Sequence, residues 1–388
     1  MDYSIEKRLK ELATINDRYD KIYSLWCINK KIYVDALNAI SYYYPHYSLH
    51  DSSHSESIVS KIEMVLGKER INDLSPTDLF LILMCAYSHD IGMIITNTDI
   101  KKILKNGEFV EFIKNIQEVN YSNDLVEAAK YILEIESNPN IIKNDKNENK
   151  WALETKDKVM LILAEFFRKR HGIRGNIEAY ELNDKNISNI LQGNIPLRII
   201  KLIGEIDACH TLEFDKVLEN LKLETNGLIN DIAHPRFVAC MIRLGDLLDL
   251  DDGRFNEVFK KLLYNFPKSS EVHMEKHKSI THFLVTEEKI EVNAICENAE
   301  REVYSATREW FDWIKGELKN LSIYWSKIVP KGFKGTAPVD GGIYVNLKDG
   351  GMEQLVDIKF NINSKKAFEL FEGNNLYNNK LVFIRELI

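Results

Sequence analysis

The chain has 388 residues, 45% of them apolar and 28% charged, a composition that fits a globular protein of two or three folding units. A net charge of −8 excludes a protein that simply coats nucleic acid, since that binding needs a basic surface; a nucleic-acid substrate would have to be captured locally. No apolar run approaches the roughly 20 residues that span a bilayer. The segment Met1-Asp2-Tyr3-Ser4-Ile5-Glu6-Lys7 lacks the basic-then-apolar order of a secretory signal. The five cysteines are scattered and form no C-x-x-C pair, so we expect packed thiols in a reducing cytoplasm, with no membrane partner.

Residues 1 to 262 read mostly as helix. Apolar positions recur at helical spacing in Ile5, Leu9 and Leu12 and again in Ile32, Leu37 and Ile40. Ser75-Pro76-Thr77-Asp78 is a helix start, with Ser at the cap and Pro in the first turn. The following stretch, Leu79 to Ser88, is apolar on nearly every face, which predicts a core helix ending in His89-Asp90. The Asn-rich segment 138 to 150 reads as an exposed loop. A helix is expected from about Glu154 to Arg170, stopping at His171-Gly172. Another should begin at Pro196 and end near His210, and a third at Pro235 should carry Arg243, Asp246 and Asp249. After Phe266 the texture changes. Ser279 to Thr286 and Lys289 to Ile295 predict a hairpin. Residues 300 to 328 predict a long helix whose Trp310, Trp313 and Trp325 pack in the core. Residues 330 to 342 read as a linker. Two strands should follow, near 343–347 and 355–362, then a short helix and a final helix from about Asn379.

The expected fold is therefore mainly α, a helical core with a small α+β C-terminal region. Its divisions would be an N-terminal helix (1–28), the main helical domain (29–265), an appended hairpin and long helix (266–330), and a linker with a small α+β segment (331–388).

Chemistry concentrates at helix ends. His54 opens a helix, His89-Asp90 end the apolar one, and His171 and His210 end two others. Asp246 stands in an apolar helix, where a carboxylate needs a cation or hydrogen-bond partner. Imidazoles and carboxylates converging on one point make a metal site. Each residue alone is a weak sign; their order is a stronger one.

The order His54, His89-Asp90, Asp246 resembles the H…HD…D signature of the HD phosphohydrolase superfamily. The phrases Ala86-Tyr87-Ser88-His89-Asp90-Ile91-Gly92-Met93, Arg170-His171-Gly172 and Ile242-Arg243-Leu244-Gly245-Asp246-Leu247-Leu248-Asp249-Leu250, followed by Arg254, resemble its HD-CE branch, as does Val272-His273-Met274-Glu275-Lys276-His277. In that branch the HD unit commonly precedes an Hsp90-like (GHKL) ATPase. The tail Leu376-Tyr377 … Phe383-Ile384-Arg385-Glu386-Leu387-Ile388 resembles the lead-in to its first helix. That implies an ATPase domain in a longer chain of which this is the front part. The resemblance further implies His54, His89, Asp90 and Asp246 as ligands of a first divalent ion. His171 and His210 fall where two-metal members carry extra histidines, with Asp90 then bridging. The ions could be manganese, magnesium, iron, nickel, cobalt or zinc. There is no Gly-Tyr-Pro segment, and Met93 stands where HD-GYP proteins carry lysine, which argues against cyclic-dinucleotide hydrolysis.

From these residues the expected function is a metal-dependent phosphohydrolase or phosphodiesterase acting on a nucleotide or nucleic acid through metal-activated water. Asp90 with its metals would hold the attacking hydroxide. Arg168, Arg170 or Arg174 would meet substrate phosphate, Arg170 being the chosen candidate. His50 would protonate the leaving group. Arg243 and Asp249, one turn either side of Asp246, would orient its carboxylate. The alternative is a regulatory module that binds a nucleotide without turnover and controls an attached ATPase. A purely structural helical scaffold would leave Asp246 without an assigned partner. Composition does not fix an oligomeric state.

Overall fold

α-Helices build most of the described residues up to 247. The computed structural model describes residues 4–48, 50–105, 107–116, 121–137, 148–180, 195–250, 267–297 and 301–348. The expected strand 355–362, the closing helices, the ATPase-like tail and Arg254 lie outside the described residues.

Helices α1 (Ile5–Ile15) and α2 (Asp17–Leu37) each start at a side-chain cap, Ser4 accepting from Lys7 N and Asn16 from Arg18 N. The first amide of α1 also donates to Glu63 Oε1 at 2.7 Å. A short α3 (Ile40–Tyr43) leads to α4 (Ser52–Asp73), capped by Asp51 and kinked at Gly67, where φ is 67°. Helix α5 (Pro76–Ser88) has Ser75 as its cap and Pro76 in its first turn, as the sequence predicts. Every residue from Thr77 to Ser88 is buried. Helix α5 is enclosed because α1, α2 and α4 pack around it, as do α11 (Leu197–Cys209) and α13 (Pro235–Leu247). An element buried on all sides has no need of a polar face, and among the described residues no single helix is long and apolar enough to cross a membrane. Buried Asp78 spends its carboxylate on the start of α13, accepting from His234 N and His234 Nδ1, both at 2.7 Å.

One turn of 3-10 helix (Ile91–Met93) follows α5. Helices α6 (Asn97–Lys105), α7 (Glu108–Ile116), α8 (Asn123–Ser137), α9 (Glu148–Arg168) and α10 (His171–Tyr180) come next. Helix α9 begins six residues earlier than expected and stops at Arg168. His171 therefore opens α10 and does not close α9. After α11 comes α12 (Phe214–Asn220), then the two-residue strands β1 (Thr225–Asn226) and β2 (Ile232–Ala233).

Past α14 (Lys268–Lys278) the hairpin forms as expected. Strand β3 (Ile280–Val285) runs antiparallel to β4 (Lys289–Cys296), with Phe283 opposite Val292. The long helix α15 (Arg301–Tyr324) then crosses over to β5 (Val339–Leu347), which pairs parallel to β4, Val292 opposite Ile343. Strand β5 starts inside the expected linker, because Val339 N already donates to Glu288 O. Ile290, Val292, Ala294 and Cys296 alternate onto the buried face of the sheet, and the first three join the helical core. Trp310 and Trp325 pack against that core, but Trp313 is 56% exposed, contrary to the core role expected of it. All five cysteines are free thiols, and four are buried.

Candidate metal centre

Each candidate side chain sits where a helix begins or ends. His54 is in the first turn of α4, and His89 caps the C-terminus of α5. Asp90 follows with φ −94° and ψ 2°, a conformation common at functional turns. His171 is the first residue of α10, His210 the C-cap of α11, and Asp246 lies in the last turn of α13. His50 precedes α4, because Asp51 caps that helix, so it does not lie one helical turn before His54.

The Nδ1 atoms decide the chemistry. His54 Nδ1 lies 2.5 Å from Asp249 Oδ2. His89 Nδ1 lies 3.2 Å from Ala86 O, His171 Nδ1 2.5 Å from Arg168 O, and His50 Nδ1 2.6 Å from Ser48 O. His210 Nδ1 is hydrogen-bonded to Asp207 O. These oxygens can only accept, so each Nδ1 carries the proton and each neutral imidazole presents a bare Nε2.

The bare nitrogens converge on carboxylates. His54 Nε2 is 3.4 Å from Asp90 Oδ2 and 3.4 Å from Asp246 Oδ1. His89 Nε2 is 3.0 Å from Asp90 Oδ2, yet both atoms are buried with no hydrogen-bond partner. On the other side of Asp90, His171 Nε2 is 3.3 Å from Oδ1 and 2.8 Å from His210 Nε2. His210 Nε2 is 4.0 Å from that same oxygen, and His50 Nε2 is 3.9 Å from Oδ2. Two bare nitrogens in contact repel, as do a bare nitrogen and a carboxylate; a cation between them reverses the sign. With metal–ligand bonds of about 2.1 Å, ligand atoms on one ion lie roughly 3–4 Å apart, which is the spacing here. The donor set thus fits divalent ions. It forms two groups, His54–His89–Asp246 and Asp90–His171–His210, with the second oxygen of Asp90 turned to the first group.

Charge follows the same geometry. Burial opposes ionisation of Asp90, but His89 and His50 beside it hold it well below the usual carboxylate range. Burial likewise opposes charge on Asp246, and the neighbouring imidazoles of His54 and His89 outweigh it, so its pKa is also lowered. Burial disfavours a charged His89, yet the Asp90 carboxylate raises its pKa above the ordinary value. His210 is pushed down to about 3 by burial and by His171 and His89. The acids are ionised, and the cations they lack are what an ion would supply.

The HD-CE family model matches residues 44–320, well over half of the chain and every residue of the centre. The chain belongs to the HD-CE family. No curated protein and no solved structure matched it.

Within this HD-CE chain the supporting residues differ from those expected. Asp249 does not serve as a brace for Asp246: its Oδ2 holds His54 and its Oδ1 accepts from Ser57 Oγ at 2.7 Å. The reason is that α13 ends at Leu247, so Asp249 leaves the helical register and turns to α4. Arg243 also does not reach Asp246. Its guanidinium bonds Glu317 at 2.7 and 2.9 Å and the carbonyls of Cys209 and Leu212 at 2.7 and 2.5 Å, fixing the turn that carries His210. The three arginines expected to meet phosphate are engaged elsewhere. Arg170 folds back over Phe166, 3.9 Å from its ring centre, and donates to Phe166 O. Arg168 pairs with Glu165 at 2.7 and 2.8 Å. Arg174 clamps the carbonyls of Gly92 and Ile94 and pairs with Asp99.

Sequence reasoning missed Asp207. It is buried, accepts from Ser88 Oγ at 2.5 Å, and is pushed up to about 7 by burial. The available signal was the one that singled out Asp246, an acid in an apolar helix, here Ile206-Asp207-Ala208-Cys209-His210.

Proposed function

We propose that this protein is a metal-dependent phosphohydrolase or phosphodiesterase whose substrate is a nucleotide or nucleic acid. The observation that carries the reading is the acceptor-only centre: four imidazoles turned by their Nδ1 bonds to offer bare Nε2 atoms, arranged about Asp90 and Asp246. Divalent ions in such a centre lower the pKa of water toward 7 and neutralise phosphate oxygens.

The residues of the chain do the rest. Asp90 offers one oxygen to each group and so sets how far apart two ions would stand. Its ionised carboxylate accepts the proton of a hydrogen bond from an incoming water and orients it. His50, 3.9 Å from Asp90 Oδ2, is the imidazole with its Nε2 nearest the centre that belongs to neither group. Protonated at Nε2 as well, it is the candidate proton donor to a leaving oxygen. The net charge of −8 makes substrate capture a local matter, consistent with a short phosphate-bearing molecule or a single-stranded end.

A second reading is favoured by the engaged arginines: a module that binds a nucleotide through its metals without turnover and regulates an Hsp90-like ATPase in a longer chain. One experiment separates the two. Metal content is measured for the wild type and for His89→Ala and Asp90→Ala, and hydrolysis of nucleoside triphosphates, cyclic nucleotides and single-stranded oligonucleotides is assayed with manganese, magnesium, nickel or cobalt. Metal lost in the variants with turnover in the wild type supports the hydrolase. Metal binding without turnover on any substrate supports the regulator. Equal metal content in all three proteins ends both readings.

A further inference from the structure

With metal bound, the two metal-binding groups offer no donor, because His89 Nε2, Asp90 and the paired imidazoles would all direct electron pairs at the ions. Among the described residues, the buried Tyr44 is different. It is 3% exposed, and its hydroxyl has no hydrogen-bond partner. A buried donor left unsatisfied is destabilising, so a site that keeps one invites a ligand acceptor.

Its surroundings say which acceptor. Tyr44 begins the segment that runs to His50, which stands over Asp90. Its ring packs edge-on to Tyr47, with centroids 5.5 Å apart. The Tyr47 hydroxyl is committed, donating to Glu165 Oε2 at 3.3 Å, and Glu165 is in turn held by Arg168. The carbonyl of Arg168 holds His171. Burial drives the Tyr44 phenol above the ordinary tyrosine range, with Arg174, Tyr47, Arg168 and Asp90 the groups that act on its oxygen. Tyr44 is thus a neutral donor at any physiological pH, beside two guanidinium charges that already hold Glu165, Asp99 and the carbonyls of Gly92 and Ile94. Positive potential with one spare O–H suits an anionic oxygen.

We propose that the Tyr44 hydroxyl donates a hydrogen bond to a non-bridging oxygen of a phosphate group held at Asp90, His171 and His210, an assignment that rests on the phosphohydrolase reading. The metal-binding groups would take two of the phosphate oxygens, and Tyr44 would fix a third and so set the orientation of the group.

The test uses the full chain loaded with manganese and inorganic phosphate as the probe, followed by calorimetric titration. Tyr44→Phe keeps the ring and removes only the hydroxyl. It should bind phosphate about tenfold more weakly, the effect of one hydrogen bond to a charged group, with metal content unchanged and Tm not lowered. Tyr47→Phe, which loses a hydroxyl committed to Glu165, should bind phosphate as the wild type does. Equal affinity in Tyr44→Phe and wild type overturns the assignment, as does an equal loss in Tyr47→Phe. If the manganese-loaded wild type takes up no phosphate at all, both the assignment and the phosphohydrolase reading fall.

Discussion

Asp249 is the sharpest place to perturb the centre without touching a ligand. It is fully buried, holds His54 Nδ1 at 2.5 Å and is itself held by Ser57 at 2.7 Å. A hydrogen bond from imidazole to an ionised carboxylate is worth about 1.5–3 kcal/mol, roughly twice a neutral one. In Asp249→Asn the amide oxygen can still accept from Nδ1, so about half of that is lost, which is about tenfold in metal affinity at 1.4 kcal/mol per decade. In Asp249→Ala the acceptor is gone and the ring is free to turn or change tautomer, and about 100-fold is expected, the upper end for residues that orient a ligand histidine. The assay is titration of metal-stripped protein with manganese. The weaker binding should appear at the His54–His89–Asp246 group and leave the other group within about twofold. Wild-type affinity in Asp249→Ala, or an equal loss at both groups, would refute the claim that Asp249 acts through His54.

Three further outcomes follow from contacts elsewhere. A Cβ on Gly92 would lie 1.9 Å from His171 O and 2.7 Å from Gly175 N, both backbone atoms, so Gly92→Ala should displace the first turn of α10; metal analysis should show the Asp90–His171–His210 ion lost and the other kept. Glu317→Ala leaves the Arg243 guanidinium, 11% exposed, without its carboxylate, which should cost about 3 kcal/mol in urea unfolding and weaken the metal group containing His210 more than the other. Glu63, 7% exposed, has its pKa raised to about 7, chiefly by burial. An acid with a raised folded pKa binds more protons folded than unfolded, so its contribution falls as pH climbs from the unfolded value of 4.5 to about 7, by at most about 3 kcal/mol. Urea midpoints over this range should drop less steeply in Glu63→Gln, and an unchanged slope would count against it.

The fold was legible where local chemistry decides it. Ser75-Pro76 started α5, Pro235 started α13, and an apolar run with no polar face could only be a core helix. The four ligand-like residues of the HD pattern came together because each sits at the end of such a helix. What stayed hidden depended on tertiary partners. The end of α9 was legible to within two residues, Arg170 against Arg168, but nothing in Arg168-Lys169-Arg170-His171 marks His171 as the start of a second helix. Asp249 looked like a neighbour of Asp246 because three residues is one helical turn, but the turn was already over and its partner is 195 positions away. The arginines near His171 looked free for phosphate because Glu165 and the carbonyls of Gly92 and Ile94 become their partners only once α9, α10 and the turn after Asp90 are packed. The parallel β4–β5 pairing was likewise unseen. A hairpin announces itself in adjacent residues, whereas a parallel pair is joined through a crossover helix.

The same geometry predicts how the centre behaves as it fills. Carboxylates and bare nitrogens packed together need positive charge, and without metal the only cation available is the proton. His89 is the imidazole that takes it, because the Asp90 carboxylate outweighs burial and raises its pKa above the ordinary value. His210, pushed down to about 3, carries none. Metal entering the His54–His89–Asp246 group must therefore expel the His89 proton, whereas His210 contributes no proton to the ion it meets. Manganese titration at pH 6.5 in buffers of different ionisation enthalpy should show a heat that varies with the buffer. The dependence should fade as the pH is raised past the pKa of His89, and fade at once in His89→Gln. A heat independent of buffer at pH 6.5 would mean that the imidazole is already bare before metal arrives. The close contact between His89 Nε2 and Asp90 Oδ2 would then have to be sustained by some charge other than a proton.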